Sequence, residues 1–356
     1  MRRKIAYSTA VLVVVLTMIE VLTRLLGPGF MPPDRSRDVA HGQSLPNEPN
    51  LVGDDVTGWR ALSGTQSDFG VPEPTHVNER GLRSPEIPLE KAANERRVLI
   101  LGDSTVYGVL VSDEDSFAGQ LETQLQSIDP GIQVLNAGCP GYSSWQALQA
   151  LKHRLMDYQP DLVIIGTLWS DAQGASVPDN ARFGEGTRDL MTYSEAWVFT
   201  RSWLRRIKWE EGAPEQVEFR FEPNQMQGGP PPNSQAGIPE NMPIAPTHRV
   251  PLAQYEQNLN ALIDLIEENE AIAVLLALPS SRDVSMGRVG DFRDAYRATM
   301  QGVSEVRGVD YIFSPSIFYG GRVNSLFHDD VHPTAAGHAM LGSLIATSLN
   351  HWANES

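Results

Sequence analysis

The feature that most constrains the fold is an alternation of short apolar runs with helical apolar patterns in the C-terminal part of the chain. Continuous runs bounded by turn residues, such as 98–101 and 162–166, are typical of strands buried on both faces. Between them, Phe117, Leu121 and Leu125 recur every fourth residue, which indicates a helix with one buried face. Strands that alternate with helices predict a parallel sheet covered on both sides.

The same pattern predicts a complete set of elements. The strands are expected at 98–101, 132–136, 162–166, 271–278 and 310–313. The helices are expected around 117–125, 145–155, 252–266, 292–303 and 334–349. The predicted fold class is therefore α/β, a three-layer α/β/α sandwich built on a five-stranded, doubly wound parallel sheet.

Composition excludes several classes of protein. The chain has 356 residues, of which 41% are hydrophobic and 20% charged, and this is a globular composition. Its formal net charge of −16 argues against nucleic acid as a partner, because binding phosphate backbones needs a basic surface. The single cysteine, Cys139, excludes an intramolecular disulfide and every multi-cysteine zinc site.

The N-terminus predicts a membrane anchor. Arg2, Arg3 and Lys4 precede an uncharged apolar run at 5–19, and basic residues keep that end cytoplasmic. We expect residues 1–30 to be a signal anchor, a single transmembrane segment that leaves the rest of the chain in the periplasm or at the cell surface. The alternative is a cleaved signal peptide, which is disfavoured because no A-x-A-like cleavage site follows the run.

Two polar residues interrupt the end of the anchor. Glu20 and Arg24 are four positions apart, so on a helix they are expected to pair near the outer membrane interface. Residues 31–90, rich in Pro, Gly, Asn and Asp, are expected to form a linker and an irregular extension. Residues 91–356 then form the predicted globular domain.

The regular alternation breaks at an insertion, residues 172–249. Its second half, 211–250, holds eight prolines and four glycines. So long a connection is functional or disordered in most compact domains. Two interpretations stay open, a lid over the substrate and a surface insertion with no role.

Candidate chemical groups follow four of the predicted elements. Ligands of open α/β sheets bind beyond the carboxyl ends of the strands. Ser104, Gly141 and Ser170 follow the first three strands, and Asp329 and His332 follow the last. A hydroxyl, glycine-rich backbone and an Asp/His pair at one edge are the components of an acyl-transfer site.

Each component also has a simpler interpretation. Ser104 by itself is typical of a helix N-cap, and Asp329 with His332 is also compatible with a solvated loop before a helix. A metal site is a further alternative, disfavoured because no H-E-x-x-H or comparable ligand spacing is present. Its ligands would come from His328, Asp329, Asp330, His332 and His338.

These motifs together resemble the SGNH (GDSL-type) hydrolase family. The stretch 98–104, Val-Leu-Ile-Leu-Gly-Asp-Ser, is similar to its first block, and 136–141, Asn-Ala-Gly-Cys-Pro-Gly, to its second. The stretch 329–333, Asp-Asp-Val-His-Pro, is similar to its D-x-x-H block. The stretch 77–83, Val-Asn-Glu-Arg-Gly-Leu-Arg, together with the anchor, is similar to membrane-anchored bacterial members. No G-x-S-x-G occurs, which disfavours nucleophile-elbow hydrolases.

The resemblance implies a flavodoxin-like fold and a role for each residue. Ser104 takes the nucleophile position, His332 the base and Asp329 its orienter. The oxyanion donors are expected to be the backbone N–H groups of Ser104 and Gly141, with Gly138 as the reserve, and the hydroxyl of Ser170. Neither a metal nor an organic cofactor is implied. Asp103 is expected to cap the following helix.

The third block departs from the family pattern. The family has G-x-N-D, whose Asn side chain donates to the oxyanion, whereas this chain has Leu168-Trp169-Ser170-Asp171. A serine hydroxyl donates a hydrogen bond but is shorter than a carboxamide. Loss of one oxyanion donor lowers the rate about 10²–10³-fold, as it does in subtilisin.

The expected function is a serine esterase in the cell envelope that hydrolyses acyl esters. The resemblance implies small acyl groups, such as acetyl on sugars, or lipid esters. Two alternatives come from other classes, an O-acyltransferase acting on envelope glycans and a catalytically silent binding or scaffold protein. Alginate-type acetyltransferases place the Asp-His element before the serine. The order in this chain, with Ser104 first, therefore favours a hydrolase, while Ser170 favours the silent protein.

Overall fold

The computed structural model describes two separate units of the chain. The described residues are 2–26, 44–45, 48–66, 75–175, 178–183, 194, 196–200, 203–204, 207, 247–284 and 292–355. Unit 1 comprises Met1–Leu62 and Asn180–Pro214, and unit 2 comprises Ser63–Asp179 and Glu215–Ser356. Most of the insertion 172–249 lies outside the described residues. The two interpretations of it, a lid over the substrate and a surface insertion with no role, concern residues in that part of the chain.

The N-terminal helix of unit 1 is α1 (Arg2–Leu26). Its segment Ser8–Leu26 has 19 residues with a mean hydropathy of 2.1, which is long and apolar enough to cross a membrane. The predicted pairing is present, with Arg24 Nη2 at 2.7 Å from Glu20 Oε1. Membrane insertion and its direction stay predictions.

Short antiparallel strands lie within 31–90, where the sequence pattern indicated no regular element. Unit 1 contains a three-stranded sheet in the order β1-β2-β3, and unit 2 contains the pair β4 and β5. The rings of Trp59 and Phe183 pack in a T-shaped arrangement in unit 1, with their centroids 5.7 Å apart. Four of these strands have only two to four residues, too few to show a clear period of two, and the seven residues of β2 do not alternate between apolar and polar side chains. Their bounds are β1 Ser44–Leu45, β2 Glu48–Asp54, β3 Gly58–Ala61, β4 Gly64–Gln66 and β5 Thr75–Val77.

The main sheet of unit 2 confirms the predicted fold class. Its five strands run in the order β12-β11-β8-β6-β7, and each neighbouring pair is parallel. Numbered along the chain, this is the doubly wound order 2-1-3-4-5. A separate two-stranded ladder is formed by β9 (Gly174–Ala175) and β10 (Thr247–His248). The main-sheet bounds are β6 Arg96–Gly102, β7 Ile132–Gly138, β8 Leu162–Gly166, β11 Ile272–Ala277 and β12 Asp310–Phe313.

Helices cover both faces of this sheet. The helices of unit 2 are α2 Ser104–Tyr107, α3 Phe117–Gln126, α4 Ser144–Ala150, α6 Leu252–Glu268, α7 Phe292–Arg307, α8 Val323–Leu326, α9 Ala335–Ser348 and α10 Asn350–Asn354, whereas α5 Asp179–Phe183 belongs almost wholly to unit 1. Shorter helical turns lie at Leu151–Leu155, Met156–Tyr158, Ser281–Val284 and Ser314–Phe318. Helices α3 and α9 pack together in one layer, and α4, α6 and α7 pack in the other. This is the arrangement that right-handed crossovers produce.

The predicted apolar positions form the core between these layers. Val98, Leu99 and Ile100 of β6 are fully buried, as are Phe117 and Leu121 of α3. Burial of a side chain of this size stabilises the fold by about 1.5–3 kcal/mol relative to an exposed position. The continuous apolar run of β6 is therefore explained by burial on both of its faces.

Glycines bring the helix after β6 unusually close to its neighbouring strands. Gly102 pairs with Gly138 of β7 and with Gly166 of β8. A Cβ added at Gly138 would collide with the backbone nitrogen of Tyr107, and one added at Gly102 would lie 2.5 Å from the carbonyl oxygen of Gly166. Side chains at these positions would push α2 away from the sheet.

We predict that Gly138→Ala lowers the free energy of unfolding by about 1–3 kcal/mol, because overpacking forces backbone to move. Gly302→Ala is the matched control, since Gly302 lies in α7 with nothing within 4 Å of an added Cβ. The control is expected to raise stability by roughly 0.5–1 kcal/mol through helix propensity. Urea unfolding of both variants is the measurement, and equal stability of Gly138→Ala and wild type would contradict the close approach.

Candidate active site

Ser104 is the first residue of the one-turn helix α2, directly beyond the carboxyl end of β6. The N-cap of this helix is Asp103, whose side chain accepts the N–H of Thr105 at 3.0 Å. The helix ends at Gly108, whose φ of 85° lies in the left-handed region that glycine tolerates. Asp103 therefore does the capping, as expected, and the Ser104 side chain is left for other contacts.

The Ser104 hydroxyl contacts His332, a residue 228 positions away in the chain. Its Oγ lies 2.8 Å from Nε2 of His332. Nδ1 of the same imidazole lies 2.6 Å from Oδ2 of Asp329. The structure thus brings Ser104, His332 and Asp329 into one hydrogen-bonded series, in the order of the predicted nucleophile, base and orienter.

The Asp329 carboxylate is held for this contact by its own turn. Its Oδ1 accepts the backbone N–H groups of Val331 and His332, both at 2.9 Å. Burial alone would raise the pKa of Asp329, but the hydrogen bonds from His332 and Val331 outweigh it and hold the pKa below its ordinary value. An ionised Asp329 favours the imidazole tautomer with the proton on Nδ1. The lone pair of Nε2 then faces Ser104.

Thr105 connects this turn to the helix of Ser104. Its hydroxyl donates to the carbonyl of Val331 at 3.1 Å, and the Thr105 side chain is fully buried. Val331 lies between Asp329 and His332. One hydrogen bond therefore fixes the Asp/His turn against α2, although the sequence analysis assigned no role to Thr105.

Gly141 lies in a tight turn after β7. The N–H of Tyr142 donates to the carbonyl of Cys139 at 3.0 Å, and Gly141 has a φ of 76°. Pro140 at the second position and a glycine with positive φ at the third define a type II turn. The N–H of Gly141 donates to none of the described residues, so no acceptor among them competes for it.

The reserve donor, Gly138, is already occupied. Its N–H donates to Oδ1 of Asn136 at 3.0 Å. The N–H of Ser104, by contrast, has no acceptor within the described part of the chain, as expected for the first residue of a helix. Of the three predicted backbone donors, Ser104 and Gly141 thus have no acceptor among the described residues, whereas Gly138 has one.

Ser170 follows β8 at the same edge of the sheet. It is buried, and its backbone N–H donates to Oδ2 of Asp103 at 3.3 Å. Its hydroxyl donates to no other residue that the structure describes. The position fits the predicted third donor, and the donation itself stays a prediction.

Two buried carboxylates organise these loops. Asp103 bridges Thr105 and Ser170, and its burial raises its pKa against the lowering effect of those hydrogen bonds. Asp171 accepts both the N–H and the hydroxyl of Ser144, at 2.8 and 2.5 Å. Burial raises the pKa of Asp171 to about 7. Asp171 thereby joins the loop after β8 to the start of α4.

Two buried arginines that sequence reasoning did not assign also support the site. Arg83 donates to the carbonyls of Tyr107 and Val111, at 2.9 and 2.7 Å, behind the helix of Ser104. Arg249 donates to the carbonyl of Gly141 at 2.7 Å. The stretch 77–83 gave a signal for Arg83 through its resemblance, whereas nothing near Arg249 in the sequence pointed to this contact.

The alternative of a metal site finds no matching cluster. Among the described residues, no group of three or more His, Cys, Asp or Glu side chains is arranged to hold a metal ion. His338 lies apart from the turn, buried in α9, where its Nδ1 accepts the N–H of Phe117 at 3.1 Å. Burial lowers the pKa of His338 to about 3, so it is neutral.

Comparison with known proteins gives similarity at the level of solved structures. No protein-family model and no curated protein matches the chain. LAE5, an α/β hydrolase enzyme from the metagenome of Lake Arreo, Spain, is 14% identical over 75% of this chain and 99% of that one, with a TM-score of 0.46. The lipase/acylhydrolase from Enterococcus faecalis is 16% identical over 72% and 96%, with a TM-score of 0.44. Axe2, an acetylxylan esterase from Geobacillus stearothermophilus, is 16% identical over 73% and 96%, also with a TM-score of 0.44.

We predict that Thr105→Val slows labelling of Ser104 by a fluorophosphonate up to about tenfold, the equivalent of one hydrogen bond. The substitution keeps the shape of the side chain but leaves the Val331 carbonyl without its donor, so His332 is held less firmly. Thr105→Ser retains the hydroxyl and is the control, expected to label at nearly the wild-type rate. Labelling of Thr105→Val at the wild-type rate would show that this hydrogen bond does not position the turn.

Proposed function

We propose that this protein is a serine ester hydrolase of the SGNH (GDSL) type. Ser104 is the nucleophile, His332 the general base and Asp329 the residue that orients it. The observation that carries the proposal is the pair of contacts made by one imidazole, 2.8 Å to Ser104 and 2.6 Å to Asp329. These distances match the hydrogen-bonded nucleophile, base and orienter that acyl transfer requires.

In the first step, Ser104 Oγ attacks the ester carbonyl carbon while Nε2 of His332 accepts the hydroxyl proton. The carbonyl oxygen becomes an oxyanion, which the N–H groups of Ser104 and Gly141 and the hydroxyl of Ser170 stabilise. When the intermediate collapses, the bond to the alcohol oxygen breaks and His332 returns its proton to the departing alcohol. The acyl group is left on Ser104.

In the second step, water replaces the alcohol. His332 removes a proton from the water as its oxygen attacks the acyl carbon, and the same donors hold the second oxyanion. Collapse breaks the bond to Oγ, and His332 returns the proton to Ser104. A carboxylic acid leaves, and the site is regenerated.

The proposed substrate is an ester of a small acyl group, such as acetyl, on an envelope glycan. Asp329 borders a groove of about 590 Å³. Polar side chains able to bind hydroxyls line it together with apolar ones: Asn324, His328 and Asp330, and Val323, Phe327 and Val331. The apolar helix α1 is suited to anchor the protein in the cell membrane with unit 2 outside the cytoplasm. An extracytoplasmic location would bring the site to envelope glycans, and this favours a carbohydrate as the alcohol part.

One observation favours a second candidate, a catalytically silent binding protein. Ser170 stands where the family has the Asn that donates to the oxyanion. A site with only two firm donors would turn over more slowly, and a silent protein needs none. The O-acyltransferase alternative uses the same serine and differs only in the acceptor of the acyl group.

The direct test is hydrolysis of p-nitrophenyl esters by the full-length protein in detergent. We expect turnover that is highest with acetate, falls with longer acyl chains and is lost in Ser104→Ala. His332→Ala is expected to lose about as much, because the serine hydroxyl is a weak nucleophile without its base. A folded protein with neither turnover nor fluorophosphonate labelling of Ser104 would leave the silent protein as the answer.

The contribution of Ser170 has its own test. We predict that Ser170→Ala lowers kcat by about 10–100-fold with little change in KM, since the hydroxyl acts on charge that develops only in the transition state. Ser170→Asn restores the longer donor and is expected to match or exceed the wild type. Unchanged kcat in Ser170→Ala would remove Ser170 from the oxyanion site.

A further inference from the structure

We propose that Arg249 is a positioning residue for the oxyanion turn, acting through the carbonyl of Gly141. The inference rests on the proposed function, because it concerns the donor that would stabilise the oxyanion. Arg249 belongs to the end of the insertion 172–249, for which the sequence analysis left open whether it has any role.

The guanidinium of Arg249 is held in one place by several acceptors. Nη1 donates to the Gly141 carbonyl at 2.7 Å, while Nη2 donates to Asp179 Oδ2 and to Gln146 Oε1, both at 2.7 Å. Nε lies 3.3 Å from Asp179 Oδ1. The Arg249 side chain is 6% exposed and that of Asp179 is fully buried. A planar guanidinium with this many fixed partners has little freedom to shift.

The contact matters because glycine adopts a wider range of φ and ψ angles than any other residue, so the conformation of Gly141 needs support from its neighbours. Its N–H and its carbonyl share one Cα, so rotation about the Gly141 bonds moves one relative to the other. Pro140 restricts the preceding side, and the hydrogen bond from Tyr142 to Cys139 closes the turn at 3.0 Å. The bond from Arg249 fixes the carbonyl side. With it, the turn holds the N–H of Gly141 in a single direction.

The base of the insertion supports Arg249 in turn. Strands β9 and β10 pair antiparallel, which closes the two ends of the insertion onto each other. The N–H of Arg249 donates to the carbonyl of Gln173 at 2.7 Å, and the N–H of Asp179 donates to the carbonyl of Arg249 at 2.7 Å. Both members of the ion pair are therefore anchored by backbone as well as by side chain. The two ends of the insertion contribute to the candidate site whatever its middle does.

A purely structural role is the competing explanation, and Arg97 provides the matched control. Arg97 is also buried, pairs with Glu95 at 2.5 Å and donates to the carbonyls of Tyr158 and Pro88 at 2.7 and 2.8 Å. It lies near the amino end of β6, opposite the edge that carries Ser104. Loss of Arg97 should therefore lower stability without changing the oxyanion turn.

The experiment compares Arg249→Met, Arg249→Lys and Arg97→Met in the full-length protein, using p-nitrophenyl acetate and the melting temperature. For Arg249→Met we expect kcat to fall about 10–100-fold, part of the loss seen when an oxyanion donor is removed, with KM changed less than about threefold. Arg249→Lys restores one donor and the charge, so an intermediate kcat is expected. Arg97→Met is expected to keep kcat within about twofold despite a lowered melting temperature.

The outcomes separate this inference from the proposed function. Wild-type protein without turnover refutes the esterase, and the inference with it. Active wild type with an unchanged kcat in folded Arg249→Met overturns the inference alone, as does an equal loss of kcat in Arg97→Met. If Arg249→Met does not fold, Asp179→Asn replaces it, with the same fall in kcat expected. Failure of both to fold while Arg97→Met folds would assign Arg249 to fold stability and overturn its positioning role.

Discussion

The candidate site depends on the register of three parallel strands. Gly102 of β6 lies level with Gly138 of β7 and Gly166 of β8, so the loops that follow start from the same edge. The absence of side chains there lets α2 approach both neighbours. Ser104 and Gly141 follow within three residues of these glycines, which leaves the loops little freedom to place them elsewhere. The pairing of the strand backbones, which also builds the buried core, therefore fixes where the candidate site residues Ser104 and Gly141 lie.

Buried polar groups fix the loop conformations that the strand register does not determine. Asp103 ties the loop of Ser170 to the helix of Ser104, and Asp171 ties the same loop to α4. Arg83 and Arg249 hold carbonyls on the two sides of the site. Burying so many charged groups stabilises a fold little compared with apolar packing of the same volume. Their concentration at one sheet edge is better explained by the need for a single loop geometry.

The strands and the Ser104, His332 and Asp329 positions could be predicted because their signals are local. Buried strands appear as continuous apolar runs, and the motifs occupy a few adjacent positions. Arg249 and Thr105 could not be predicted, because each acts on a carbonyl far along the chain: Gly141 lies 108 positions from Arg249, and Val331 lies 226 from Thr105. Every residue has a backbone carbonyl, so the sequence does not mark the one that will accept such a hydrogen bond. The short strands of 31–90 were missed for a different reason, since strands such as Thr75–Val77 span less than two periods of the pattern.

The fixed geometry of these loops bears on whether Ser170 can act as a donor. A carboxamide reaches further than a hydroxyl, so an Asn donor tolerates some misplacement of its loop, whereas a serine donor does not. The backbone N–H of Ser170 donates to Asp103, which is also the N-cap of the helix that begins at Ser104. This bond ties the backbone of Ser170 to the helix of Ser104, and a donor with a short side chain depends on such a fixed backbone to reach an oxyanion. A loop with a fixed backbone is therefore the feature that would allow a serine to serve in place of an asparagine.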